Sequence, residues 1–164
     1  MAKSSDIKSK DSIPGLPTAF DLKNGVNLAR NCVAYNLRRA ARLVSQAYDQ
    51  ALKPTGLKVT QFSLLASFAM APDNKISELA DWLGMDRTTL SRNLRVLEKR
   101  GLIELTQGQD RREVNVRITE EGIRTFKKAL PYWARAQKEV VGNIGQESWS
   151  SLAKELRSLV AGLK

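Results

Sequence analysis

Apolar residues return every three or four positions along most of this chain, and alternate with polar ones in one short stretch near its middle. From about Val26 to Leu52 the series Val33, Leu37, Ala40, Val44, Ala47 and Ala51 predicts an amphipathic helix, which Pro54 and Gly56 end. Thr60 is the expected N-cap of a second helix with Phe62, Leu65 and Phe68 facing inward and Pro72 beyond its end. Ser77 is read as the cap of a short helix carrying Leu79, Ala80 and Leu83, broken by Gly84. Asp86 then caps a helix that runs to Arg100 and is closed by Gly101. Residues 102–106 and 113–118 read as the two strands of a β-hairpin, the second alternating with the strand period, around a turn at 108–111. Thr119-Glu120-Glu121-Gly122 opens a longer helix with the stripe Ile123, Phe126, Leu130, Trp133, Gln137, Val140 and Ile144. Pro131 inside that stripe is expected to kink it or remove a backbone bond. After Gly145 a last helix carries Trp149, Leu152, Leu156, Leu159 and Leu163.

The expected fold is therefore mainly α with a small β-hairpin. The first helix and the last two carry apolar stripes outside the central unit, and such stripes must be covered. Packing within the chain accounts for part of them; a symmetric dimer interface is the stronger expectation.

Composition narrows the function. A chain of 164 residues with 42% hydrophobic content suits one domain, or one domain with an appendage. No apolar run reaches the ~18 residues a membrane span needs, and the polar start MAKSSDIKSKDSIPGLP has no secretory h-region, so the expected address is the cytoplasm. One cysteine, Cys32, leaves no internal disulfide framework or multi-cysteine zinc site. The sequence has no histidine, so the commonest metal ligand and general base are missing; with no phosphate-cradling glycine motif and no paired carboxylates in a plausible site, no enzyme and no cofactor is expected. The net charge of +10 points to polyanions, nucleic acid first and membrane surfaces second. The excess lies in the folded body: residues 26–58 hold six basic residues against one acidic.

The informative block runs from Ile76 to Ile103. Small Ala80, four positions before Gly84, lets the next helix cross closely, and the glycine allows the tight turn: a helix-turn-helix arrangement. At about 100° per residue, Leu90, Leu94, Leu97 and Gly101 share one side of the second helix, and Thr88, Arg92, Arg95 and Lys99 the other, with Ser91 at its edge. Arginine forks match guanine O6 and N7, hydroxyls reach phosphates or bases, and no carboxylate on this front would repel phosphate. An ordinary solvated face is the alternative for these cations, weakened by the short helix before and the hairpin after. The hairpin tip, with Arg111 and Arg112, is a second contact candidate for the electronegative minor groove; Asp110 makes sense there if it holds an arginine in place.

This block, its ending Asp110-Arg111-Arg112-Glu113-Val114-Asn115-Val116-Arg117-Ile118-Thr119-Glu120-Glu121-Gly122, and the flanks Cys32–Arg42, Leu52–Leu57 and Leu130-Pro131-Tyr132-Trp133 resemble the multiple antibiotic resistance regulator (MarR) family. Ile118 stands where the family's wing signature has leucine. The resemblance covers roughly residues 26–163. It implies a winged helix-turn-helix homodimer on palindromic double-stranded DNA, with recognition helices in successive major grooves. By this similarity Thr88, Thr89, Ser91, Arg92 and Arg95 fall on the recognition helix, Asp110 and Arg112 on the wing; Lys99 and Arg111 join the DNA-binding set. The organisation expected is a flexible segment 1–24 followed by a MarR-type domain 25–164, its DNA-binding lobe at 57–119 and its dimerisation helices at 26–53 and 120–163. Repression, and release by a small anionic or phenolic effector, are implied by the resemblance alone.

The controlling signal is open at this level. Cys32, near Arg30, is either an oxidation sensor or a small buried apolar residue. Tyr35, Arg39, Phe62, Phe68 and Trp133 are candidates to line an effector pocket, although aromatics at helical spacing commonly serve as core. Arg38, Arg39 and Arg42 could bind phosphates, pair across a dimer or hold an anionic effector. The competing reading is a winged-helix module for protein contacts or non-specific nucleoid binding, whose DNA affinity would depend on salt but not on sequence.

Overall fold

In the computed structural model, residues 30–70, 76–107 and 114–163 are described, with residues 77, 78, 81 and 82 described for their backbone only. The chain falls into two units, Met1–Ala41 and Arg42–Lys164. The described part of the first is helical and almost wholly exposed; Asn36 donates from Nδ2 to the carbonyls of Arg30 (2.8 Å) and Cys32 (2.9 Å). The expected flexible segment 1–24 lies outside the described residues.

The elements are α1 (Val33–Leu52), a 3-10 turn (Lys53–Thr55), α2 (Val59–Met70), α3 (Ile76–Leu83), α4 (Arg87–Lys99), β1 (Ile103–Gln107), β2 (Val114–Ile118), α5 (Glu120–Ile144) and α6 (Gln146–Gly162). The strands pair antiparallel, Ile103 opposite Ile118 and Gln107 opposite Val114. A mainly helical fold with one hairpin is what the apolar periodicities predict.

Within the second unit, one core joins α2 to α5 through the leucines of α4 and one face of the hairpin. Leu52, Leu64, Leu65, Phe68, Leu90, Leu97 and Ala129 are fully buried, and Leu94, Ile103 and Val116 nearly so. A lone hairpin is marginal in water; here β1 packs on α4, and β2 on α2 and α3.

Local chemistry explains the boundaries. Asp86 caps α4 as expected, accepting from the Thr89 N–H at 2.8 Å. Gly101, at φ 68°, ends the helix, with the Leu102 N–H bonding back to the Leu97 carbonyl at 3.0 Å. Thr119 caps α5, accepting from the Gly122 N–H at 3.0 Å. Two expected caps are corrected. Thr60 does not cap α2, which starts one residue earlier: Asp49 of α1 accepts from the Val59 N–H at 2.7 Å, and Gln61 reaches back to the Lys58 N–H at 3.0 Å. Helix α3 starts at Ile76, so Ser77 lies in its first turn instead of before it. Pro131 sits inside a continuous α5, its missing N–H leaving one ladder bond unmade.

Gly122 has a packing reason that the sequence did not disclose. A Cβ there would stand 2.1 Å from the Leu102 carbonyl oxygen and 2.7 Å from Ile118 Cγ1. The start of α5 thus rests directly on the hairpin's base, where the Thr119 N–H also donates to Leu102 at 3.1 Å.

Candidate nucleic-acid interface

The turn between α3 and α4 sets the site. Gly84, at φ 60°, takes the left-handed conformation, and the Met85 N–H closes onto the Ala80 carbonyl at 3.0 Å. Ala80 is buried, so the two helices cross with little between them. Helix α4 then inserts Leu90, Leu94 and Leu97 into the core and leaves its other side in solvent.

On that outer side Thr88, Ser91, Arg92, Arg95 and Lys99 are all exposed, and with Arg87 and Val96 they line one open groove. Among the described residues none of these four cations forms an ion pair. Unpaired guanidinium and ammonium groups on a rigid helix retain their donors for phosphates and base edges.

Thr89 is placed differently. Its hydroxyl donates to Asp86 Oδ2 at 2.6 Å while its N–H donates to Oδ1, so its hydrogen is committed to the cap. The two bonds hold the Asp86 carboxyl below the usual carboxylate range, the hydroxyl contributing most. An ionised aspartate at a helix N-terminus also complements the helix dipole.

The wing candidates Asp110, Arg111 and Arg112 lie outside the described residues. The register fixes where the two strands end, at Gln107 and Val114.

The candidate pocket residues separate. Phe62 stacks on Trp133 with ring centroids 5.8 Å apart and tilts against Phe126 at 5.1 Å. Phe62 and Phe68 are buried core residues and Trp133 is half-buried against them. Tyr35 and Arg39 are exposed on the first half of α1, and Cys32, just before α1, is half-buried with a free thiol.

Sequence reading missed two side chains. Arg100, the C-cap of α4, donates from Nη1 to the Gly56 carbonyl at 2.8 Å. Tyr48 donates its hydroxyl to Gln137 Oε1, linking the end of α1 to α5, and burial raises the pKa of its phenol. The first contact spans 44 residues and the second 89, and no local pattern signals either.

Comparison with known proteins agrees with this geometry. A sequence model of the MarR family matches residues 55–113, which include α2, α3, α4 and β1. The crystal structure of the M. tuberculosis transcriptional regulator MosR in complex with DNA is similar over 81% of this chain and 96% of its own, at 39% identity and a TM-score of 0.74. The chain belongs to the MarR family. Like its relatives, this MarR-family chain is a DNA-binding transcriptional regulator and not an enzyme. The structure of CouR from Rhodococcus jostii RHA1 bound to p-coumaroyl-CoA is similar over 80% of this chain and 94% of its own, at 25% identity and a TM-score of 0.69; CouR has also been seen on a 23-mer DNA duplex. An uncharacterized HTH-type transcriptional regulator of Bacillus subtilis (strain 168), YwoH, is 24% identical over 113 residues, 69% of this chain and 82% of that protein. Among the described residues no helix is long and apolar enough to cross a membrane.

Proposed function

We propose that this regulator is a cytoplasmic homodimeric repressor whose α4 helices read the two halves of a palindromic operator. The observation that carries the reading is α4 itself: three buried leucines fix the helix while Thr88, Ser91, Arg92, Arg95 and Lys99 stand unpaired in solvent. Arg92 and Arg95 are assigned to base edges, Thr88, Ser91 and Lys99 to phosphates, and Thr89 to the cap that orients the first turn. Arg111 and Arg112 of the wing enter the flanking minor groove, with Asp110 steering them.

The dimer is supported by what α1 and α6 leave uncovered. Helix α6 has no buried residue, and Leu43, Val44, Leu152, Leu159 and Val160 are each more than a third exposed. A second copy covers these faces. A small phenolic or anionic effector releases the DNA; the support is CouR, a relative bound to p-coumaroyl-CoA. Because Phe62, Phe68 and Trp133 already pack against one another or the core, such a ligand has to open that packing or bind beside it.

Selection of duplexes from a random pool tests the reading. An enriched palindrome is expected, and Arg92→Ala should lower the preference for it over random DNA by roughly 1–3 kcal/mol. An equal loss on both DNAs would make Arg92 a phosphate contact. No enriched sequence would leave only salt-dependent, non-specific binding. Release by phenolic acids and by peroxide, with Cys32→Ser as control for the second, identifies the signal.

A further inference from the structure

The leucine back of α4 holds the helix against the core, but apolar contacts are non-directional and permit small rotations and slides. Directed bonds must set the angle at which its front meets DNA. At the N-terminal end these are the Asp86 cap and the Met85 to Ala80 bond of the tight turn. At the C-terminal end Arg100 extends its guanidinium out of the helix-turn-helix to the Gly56 carbonyl at 2.8 Å. Among the described residues this is the hydrogen bond that ties the side chain of the α4 C-cap to a segment outside that motif.

The acceptor is a rigid corner. Gly56 lies in the left-handed conformation at φ 69°, its N–H bonded to the Lys53 carbonyl at 3.1 Å. Thr55 donates its hydroxyl to the Leu52 carbonyl at 2.7 Å and accepts from the Leu57 N–H at 3.3 Å. Leu52 and Leu57, on either side of the corner, are both buried. A Cβ at Gly56 would lie 3.4 Å from Arg100 Nη2, so the bare glycine gives the guanidinium close access to the backbone. The corner begins where α1 ends, at Leu52.

We infer that Arg100 is a positioning residue. It locks the C-terminal end of the reading helix to the corner that follows α1, and so sets the separation and angle at which the two α4 helices of a dimer meet their half-sites. It contacts no base. The inference rests on the palindrome-reading dimer proposed above and names the residue that sets its spacing. Spacing is a strict constraint in such a dimer: one inserted base pair moves a half-site by about 3.4 Å along the duplex and about 34° around it.

The experiment uses the full chain and the palindrome recovered from the random pool, with its centre lengthened or shortened by one base pair at a time. Affinity is measured for wild type and Arg100→Met, which keeps most of the stem and removes the donors. Arg100 is exposed, so the variant is expected to fold; circular dichroism and the melting temperature check this. Wild type should lose about tenfold or more off its best spacing, because the displaced helix forfeits its base contacts. In Arg100→Met that penalty should shrink by about threefold or more, with non-specific affinity and salt slope unchanged. An unchanged spacing penalty, with or without a lower melting temperature, overturns the inference. So does a uniform loss on all DNA with the salt slope reduced by about one, which would make Arg100 a phosphate contact. If wild type shows no preferred spacing at all, the palindrome reading has failed first, and this inference falls with it.

Discussion

Helices α4 and α6 are both amphipathic, yet their apolar sides meet different surroundings. On α4, Leu90, Leu94 and Leu97 are 0%, 1% and 0% exposed. On α6, Leu152, Leu159 and Val160 are 44%, 38% and 55% exposed, and no residue is buried. An apolar stripe stabilises a helix only when something covers it. Helix α4 is stabilised by its own chain, which leaves its polar side free for DNA. The apolar residues Leu152, Leu159 and Val160 of α6, and Leu43 and Val44 of α1, stay more than a third exposed, so no described residue covers them as the core covers the leucines of α4. The outer face of α4 is thus held in place by described residues of the same chain, while the faces proposed for dimerisation are not covered by them.

Four changes test that division, the largest effect first. Leu152→Asp combined with Leu159→Asp places two charges on the α6 stripe and should reduce the protein to monomers in light scattering, with the near-ultraviolet signature of the lobe retained. Unfolding of the lobe instead would mean that α6 packs within its own chain. Leu94→Ala hollows the core behind α4 and should cost about 2–5 kcal/mol in denaturant unfolding. A loss well under that range would show that the leucine back does not anchor the helix. Gly122→Ala pushes a methyl onto the Leu102 carbonyl and should cost about 1–3 kcal/mol, as overpacking does. A neutral result would mean that α5 and the hairpin base separate readily. Asp86→Ala removes the α4 cap, and its effect should be the smallest. The folded Asp86 carboxyl titrates below its unfolded value, so its stabilisation is complete above the ordinary carboxylate range and is lost as pH falls through the folded pKa. The melting-temperature difference between wild type and variant should therefore vanish on acidification; a gap that persists at low pH would show that the cap does not depend on charge.

What the sequence discloses and what it hides follow from how far each interaction reaches. Asp86, Gly84 and Gly101 act within five residues of themselves, and each was legible from residue type and position. The Leu90, Leu94 and Leu97 back was legible because helix geometry converts spacing into a face. The start of α2 was misread at Thr60 because its N–H partner comes from Asp49, ten residues upstream on another helix. Thr89 reads from the sequence as one more hydroxyl of the recognition helix; its bond to Asp86 is added by a cap geometry that residue type alone does not specify. Gly122 was noticed as part of a pattern, but its cause is a carbonyl twenty residues earlier in the chain. Arg100 carried no signal at all, since its partner at Gly56 is a backbone atom and any residue type offers one.

The central claim is that two chains together read one palindrome through the outer face of α4. The most direct test is the mass, by light scattering, of the complex formed on the duplex that the protein selects from a random pool. Two chains per palindrome, already paired before DNA is added, are predicted. A single chain per duplex, or a protein monomeric both free and bound, would contradict the account.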